Sequence, residues 1–290
     1  MNIITGEKFQ NLCNHHISKN EHKKFELQVD NHIDVDTFDF TDFDNDELVY
    51  CNGSLLNLQK PKLVESKLYE KLEQFKNPFK LVLHTADDGF GQRHLDKLLT
   101  IQNLKKIYTR NMDVNHPLVE PIPIGIANTH LRYGDIKTLQ NVMDEDRKEA
   151  KTEFIYAGFT TEGFTPNSEP LKGRKKCYEQ IIKQNIPFHL TNLEFGDYLR
   201  ELKKYKYCIS PDGNGIDCYR TWESLYLKVV PICIRSILVE YFAKLFPIYI
   251  IEDWNDLDVK VLEKEYSNFN WDNYELLDFN NYIKYIGLDL

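Results

Sequence analysis

Ser210-Pro-Asp-Gly-Asn-Gly-Ile-Asp-Cys-Tyr-Arg-Thr-Trp-Glu-Ser-Leu-Tyr226 is the stretch on which the reading of the fold turns. Tyr207-Cys-Ile-Ser210 before it is a short apolar run of strand length. Tyr219 to Leu227 has helical spacing, and Val229-Val-Pro-Ile-Cys-Ile234 is again strand-sized. Strand, glycine-rich turn, helix and strand in that order form the repeating unit of a parallel α/β protein. Two glycines separated by one residue free the backbone for positive φ and let it approach a ligand closely. The first turn of the following helix presents unpaired N–H groups and the positive end of the helix dipole, which suits a diphosphate. Arg220 sits in that turn and can add a bidentate contact to phosphate. Glu223, one turn on, shares its face and can accept from two ribose hydroxyls. The same residues also admit a structural account: a turn, a helix cap at Asp217 and a surface Arg220–Glu223 pair at i, i+3.

Working outward, the alternation recurs through both halves of the chain. Leu48 to Cys51, Lys80 to His84 and Lys106 to Thr109 read as strands, with helices over Lys62 to Phe75 and Arg93 to Ile101. Pro61 suits a helix start. Val119 to Ile126 carries too many prolines for a central strand and is expected to be an extended connection. Residues 135 to 151 are charged and helical in character and make the natural transition. Beyond them, strands are expected at Phe154 to Ala157, Pro187 to Leu190 and Ile248 to Ile251, and helices at Arg174 to Gln184 and Phe195 to Tyr205. A Gly/Pro/Ser/Thr-rich loop covers Gly158 to Pro170. The expected organisation is an α/β chain with one domain over 1–140 and a second over 141–270. The tail 271–290 would pack back on the first.

The first 47 residues are polar and read as irregular. Asp42-x-Asp44-x-Asp46 within them is superficially like a calcium loop, but Glu47 stands where the sixth-position glycine belongs and Gly53 where the closing glutamate belongs. A solvated acidic loop accounts for it. The formal charge of −9 disfavours a nucleic-acid backbone as partner. Six cysteines, at 13, 51, 177, 208, 218 and 233, include no Cys-x-x-Cys pair and read as free thiols. No apolar run has the length of a signal peptide core or a membrane span, so a cytoplasmic protein without a membrane anchor is expected.

The Ser210 to Glu223 string resembles the C-terminal signature of the exostosin-like glycosyltransferases, approximately Ser-Pro-x-Gly-Asn-Gly-x-Asp-x-x-Arg-x-Trp-Glu-x-Leu followed by a Pro-Ile strand. The likeness continues through Leu225 to Ile232. It extends more weakly over His84 to Gly89, Pro121 to Asn128 and Phe154 to Arg174. Two positions depart from it: Tyr219 stands where many relatives have histidine, and Lys228 replaces a small residue. The resemblance implies two Rossmann-like domains facing a cleft, the GT-B type. It also implies inverting, metal-independent transfer of a sugar from a nucleotide-diphosphate donor, by default a UDP-sugar, to a hydroxyl of a glycan or glycoconjugate. No cofactor beyond that donor is implied. Arg220 would contact the diphosphate and Glu223 the ribose. Arg174 would be a second phosphate contact, or else a solvated arginine at a helix start. Gly213, Asn214 and Gly215 would shape the loop around the sugar-phosphate, and Asp217 would touch the sugar or, preferably, cap the helix.

Inversion needs one base opposite the leaving group. Asp87 follows the strand Lys80 to His84 at the carboxyl edge, where open α/β sheets place ligands, and is the preferred base. Asp88 and His84 have similar claims, and Asp87-Asp88-Gly89 can equally be turn chemistry. His94, His116 and His130 show no metal-ligand spacing, and Trp222 and Tyr226 read as core. The competing assignments are a nucleotide-sugar-binding protein without transferase activity and a nucleotide-sugar epimerase or hydrolase.

Overall fold

Residues 5–124 wind around a six-stranded sheet in which every pairing is parallel. The structure is a computed structural model and describes residues 1–18, 32–34, 47–56, 68–145, 150–161, 169–189 and 193–288. In this unit the chain forms α1 (Gly6–Leu12), β1 (His15–Ser18), β2 (His32–Asp34), β3 (Glu47–Asn52), α2 (Leu68–Leu72), β4 (Phe79–His84), α3 (Gln92–Leu98), β5 (Leu104–Thr109) and β6 (Val119–Pro121). The strand order is β2-β1-β3-β4-β5-β6. The chain therefore reverses its winding between β1 and β3, the topological switch point of doubly wound sheets. Leu81, Val82 and Leu83 of β4 are all buried, which is why that central strand shows as an unbroken apolar run.

Two sequence expectations change here. The N-terminal segment is not irregular, since it supplies α1 and the interior strand β1. It buries polar groups: His16 is 4% exposed and its Nε2 donates to the Gln10 carbonyl at 2.6 Å. Such a strand shows no hydrophobic alternation. Val119–Pro121 is a strand after all, and it takes the sheet edge, where a proline's missing donor is harmless. The acidic triplet Asp42, Asp44 and Asp46, the start of the Lys62 helix up to residue 67, and loop residues 162–168 lie outside the described residues.

The second unit comprises Met1–Ile4 and Gly125–Leu290. Its elements are α4 (Ile136–Asp144), β7 (Glu153–Tyr156), α5 (Glu169–Lys183), α6 (Phe195–Lys203), β8 (Tyr205–Ile209), α7 (Tyr219–Tyr226), β9 (Val230–Ile234), α8 (Ile237–Ala243), β10 (Tyr249–Ile251), α9 (Val259–Glu265) and α10 (Phe279–Tyr285). The four strands lie in the order β10-β9-β8-β7, all parallel. Of the strand expected over 187–190, the described residues 187–189 show one parallel bridge, Phe188 to Ala157, on the far side of β7. Counting that bridge, both units start their sheet, step outward once and then wind back past the first strand. A switch point thus falls between β7 and β8. Ile155, Tyr207, Ile209, Val230 and Ile232 of the sheet pack with Cys177 and Ile181 of α5 and with Trp254 and Leu262 into one core.

The division falls between Ile124 and Gly125 rather than at 140/141. The reason is α4, whose buried Leu139 and Val142 pack on α6 and tie residues 136–144 to the C-terminal unit. The tail belongs with this unit too. Tyr226 of α7 donates its hydroxyl hydrogen bond to the Leu277 carbonyl at 2.8 Å and accepts one from the Ile4 amide at 2.8 Å. The Phe279 amide donates to the Asn2 carbonyl at 2.7 Å.

Candidate functional site

The loop 210–218 joins the carboxyl end of β8 to α7, beside the β7/β8 switch point. Its glycines are not used for positive φ: among described glycines only Gly125 and Gly287 have it. A Cβ on Gly213 would stand 3.3 Å from Cys218 Sγ, tighter than ordinary contact, and at ordinary contact distance, 3.5 Å, from Arg174 Nη2. The Gly213 amide closes the turn on the Gly215 carbonyl at 3.0 Å, and Asn214 is exposed at its tip.

Arg174 lies within α5, which begins at Glu169, and is only 8% exposed. It is therefore not a solvated helix-start residue. Its Nε donates to the Asp212 carbonyl and its Nη1 to the Thr160 carbonyl, each at 2.8 Å, which holds the side chain across the loop. Burial and then the charge of Arg220 depress its pKa. Two guanidinium groups thus bear on one loop. Arg220 is half-buried and its Nε, enclosed by protein, has no hydrogen-bond partner.

Glu223 is 5% exposed, which removes the surface-pair account of Arg220 and Glu223. Its Oε2 accepts from the Tyr198 hydroxyl of α6 at 2.7 Å. Burial raises its pKa, against the lowering effects of the Tyr198 hydrogen bond and Arg220. Asp217 is neither helix cap nor free: Cys218 occupies the N-cap position of α7, and Asp217 Oδ1 accepts from the Trp222 indole at 2.7 Å. Trp222 and Tyr226 are core, at 0% and 1% exposure. Asp212 is a feature the sequence did not flag. Burial pushes its carboxyl up to about 6, with Arg174 pulling the other way.

In the 5–124 unit, the loops after β3, β4 and β5 line a small open pocket at the carboxyl ends of the strands. Asp87 is exposed and its Oδ1 accepts from Arg110 Nη2 at 2.9 Å, while Arg110 itself is 7% exposed. Asp88, rather than Asp87, lines the pocket, together with His84, His94 and Arg110. His84 makes a poor base: burial, then Arg110, lower its pKa to about 3, and its Nδ1 already accepts from the Thr85 amide at 2.9 Å. Thr85 and Asn111 adopt φ of 63° and 50°, unusual for a β-branched residue in the first case. Asn111 Nδ2 donates to the carbonyls of Ala86 and Asp87 at 3.1 and 3.2 Å and locks the two loops together.

Arg110 and Tyr198 were missed from the sequence. Arg110 did carry a signal, since it directly follows an expected strand at its carboxyl edge. Tyr198 carried none. Among the described residues no group of three His, Cys, Asp or Glu could hold a metal ion, and no helix is long and apolar enough to cross a membrane. All six cysteines are free thiols.

No family model matches the chain. Dihydroorotases of Lactobacillus helveticus and Lactobacillus delbrueckii subsp. bulgaricus are each 25% identical to it over 154 residues, 47% of this chain. The matched region spans about a third, 34%, of those relatives' own length. Among solved structures, an α,α-trehalose 6-phosphate synthase from Burkholderia multivorans is 10% identical, with a TM-score of 0.41, covering 85% of this chain and 69% of that one. A UDP-forming α,α-trehalose-phosphate synthase from Burkholderia vietnamiensis has the same identity, score and coverage of this chain, and 68% of its own. Similarity at this level assigns no role to any residue. The α/β class with parallel sheets in both units rests on the strand pairings themselves.

Proposed function

We propose that the protein is a glycosyltransferase that binds a nucleotide-sugar, by default a UDP-sugar, on the 210–218 loop. The observation that carries this reading is the pair Arg174 and Arg220, a buried and a half-buried cation beside one glycine loop at a helix N-terminus, the Arg220 Nε being enclosed by protein without a hydrogen-bond partner. A diphosphate placed on this loop would meet both cations and the helix N-terminus. Glu223, held by Tyr198 through one oxygen, keeps the other for ribose hydroxyls. The exostosin-like signature assigns the same residues to the same donor.

In the reaction, an acceptor hydroxyl of a glycan or glycoconjugate attacks the anomeric carbon as the bond to the diphosphate breaks, with inversion. Asp87 takes the acceptor proton. The diphosphate leaves with its charge held by Arg174 and Arg220, and no metal is required.

A thermal-shift screen against UDP, GDP and their sugar conjugates, with and without EDTA, tests this. Binding to the native state raises the melting temperature by mass action. A rise with one nucleotide series, insensitive to EDTA and lost in Arg220→Met and Glu223→Gln, is expected. An EDTA-sensitive rise removes metal independence. Binding without turnover over a broad acceptor panel favours a nucleotide-sugar-binding protein, and turnover without acceptor favours an epimerase or hydrolase.

A further inference from the structure

We infer that Asp212 selects the donor's sugar by charge, so that the nucleotide-sugar on the 210–218 loop carries a neutral hexose, pentose or N-acetylhexosamine rather than a hexuronate. The inference rests on the nucleotide-sugar reading of this loop and adds the class of sugar to it.

Asp212 lies three residues beyond β8, at the carboxyl edge where open parallel sheets bind ligands. Its carbonyl accepts from Arg174 Nε at 2.8 Å. Its carboxyl is half-buried, and among the described residues it accepts no hydrogen bond, while the charge of Arg174 bears on it. Burial and then Asp212 raise the thiols of Cys218, at the N-cap of α7, and Cys233, on β9. The carboxyl therefore stands among the ends of β8 and β9 and the start of α7.

Charge balance decides the sugar. The diphosphate of a nucleotide-sugar brings two negative charges, and Arg174 and Arg220 supply at most two positive ones. A hexuronate adds a third negative charge beside them. The other ion pairs of this edge offer it nothing. Arg235, directly after β9, donates to Glu252, directly after β10, at 2.5 Å and also to Glu240 of α8. Lys176 of α5 pairs with Asp253 at 2.5 Å. These groups together carry one excess negative charge, so even an opened surface pair gives a uronate no net attraction. Lys175 is exposed, but it follows Arg174 by one residue and so points about 100° away around α5. Asp212 is ionised at pH 7.5, since burial, opposed by Arg174, raises its pKa to about 6. It adds a negative charge where solvent screens it less than at an exposed position. A sugar hydroxyl or acetamido N–H meets no such repulsion and can donate to the carboxylate.

The test is isothermal titration of the full chain at pH 7.5 with UDP, UDP-glucose, UDP-xylose, UDP-N-acetylglucosamine and UDP-glucuronate. GDP, GDP-mannose and GDP-mannuronate form a second series. UDP-glucuronate differs from UDP-glucose only by oxidation at C6, and UDP-xylose lacks that carbon, so charge and size are read apart. In the series that binds, at least one neutral conjugate is expected to bind about tenfold or more tighter than the uronate. Asp212→Asn, nearly isosteric, should raise affinity for the uronate more than for the neutral sugars and narrow the gap to about threefold or less. Far-ultraviolet circular dichroism checks that the variant is folded. Equal or tighter binding of the uronate, binding of the bare nucleotide without any neutral conjugate, or a gap that Asp212→Asn leaves unchanged overturns the inference while a nucleotide site stands. Failure of both UDP and GDP to bind removes the donor reading, and this inference with it.

Discussion

Asp212 and Tyr226 show what single side chains do in this protein. Asp212 stands on the loop that two arginines face, and burial holds its pKa near 6. Below that pH it is neutral and the loop carries the full positive charge. Above it, an added negative charge opposes a diphosphate. Affinity for a UDP-sugar, whose diphosphate does not titrate there, should fall several-fold as pH rises from 5 to 7, and Asp212→Asn should flatten the profile. Isothermal titration at a series of pH values reads this directly. Tyr226 satisfies the Ile4 amide and the Leu277 carbonyl through one hydroxyl. Tyr226→Phe leaves both groups buried and unpaired and is expected to cost about 2 kcal/mol or more, read by denaturant unfolding. The contribution of such residues depends on partners distant in the chain. Arg220 and Glu223 could be read in the sequence because their neighbours on either side define a loop and a helix. Tyr198 could not, because its meaning lies in a contact with another helix.

At the scale of elements, helix ends and turns carry the constraints. The Lys151 amine donates to the Lys203 carbonyl at the end of α6 and to the Leu227 carbonyl at the end of α7. Burial, with Lys203 and Lys228 nearby, lowers its pKa to about 7. The folded state thus gives up this proton near pH 7, while the unfolded chain keeps it to about 10.4. Between these values the unfolded state binds more protons, so this group's contribution makes stability rise with pH. Lys151→Met should remove that part of the slope in urea unfolding measured at pH 7 to 9.5. Gly125 is the one turn where backbone conformation demands glycine at the unit boundary. It has φ 66°, and a Cβ there would collide with the Ile4 carbonyl. Gly125→Ala is expected to destabilise by more than about 2 kcal/mol, since strain and a steric clash add. Elements buried on both faces, such as β4, were legible as apolar runs. β1, with His15-His-Ile-Ser18, was not, since it buries the polar His16, whose Nε2 donates to the Gln10 carbonyl.

For the whole molecule, the division of the chain is the point of interest. Residues 1–4 precede the 5–124 unit in sequence but belong with residues 125–290. Ile3 and Ile4 are fully buried, Ile3 bridges Asp278, and the Ile126 amide donates to the Ile4 carbonyl at 3.0 Å. Deleting residues 1–4 should therefore raise hydrogen exchange around α7 and α10 and leave β4 and β5 protected. Faster exchange confined to the 5–124 unit would contradict this arrangement.

The alternation of strand and helix, the α/β class and the glycine loop between β8 and α7 were determined by the sequence alone. Each follows from residues near one another in the chain, through periodicity, turn chemistry and burial of contiguous apolar runs. Tertiary structure alone decided that the boundary lies at 124/125, that β1 is interior, that Asp217 anchors Trp222, and that Arg110 and Asp88 share a pocket. Those outcomes depend on which distant groups satisfy a buried charge, amide or carbonyl. Such pairing leaves no periodic trace in the sequence, because its energy depends on spatial proximity and desolvation rather than on spacing along the chain.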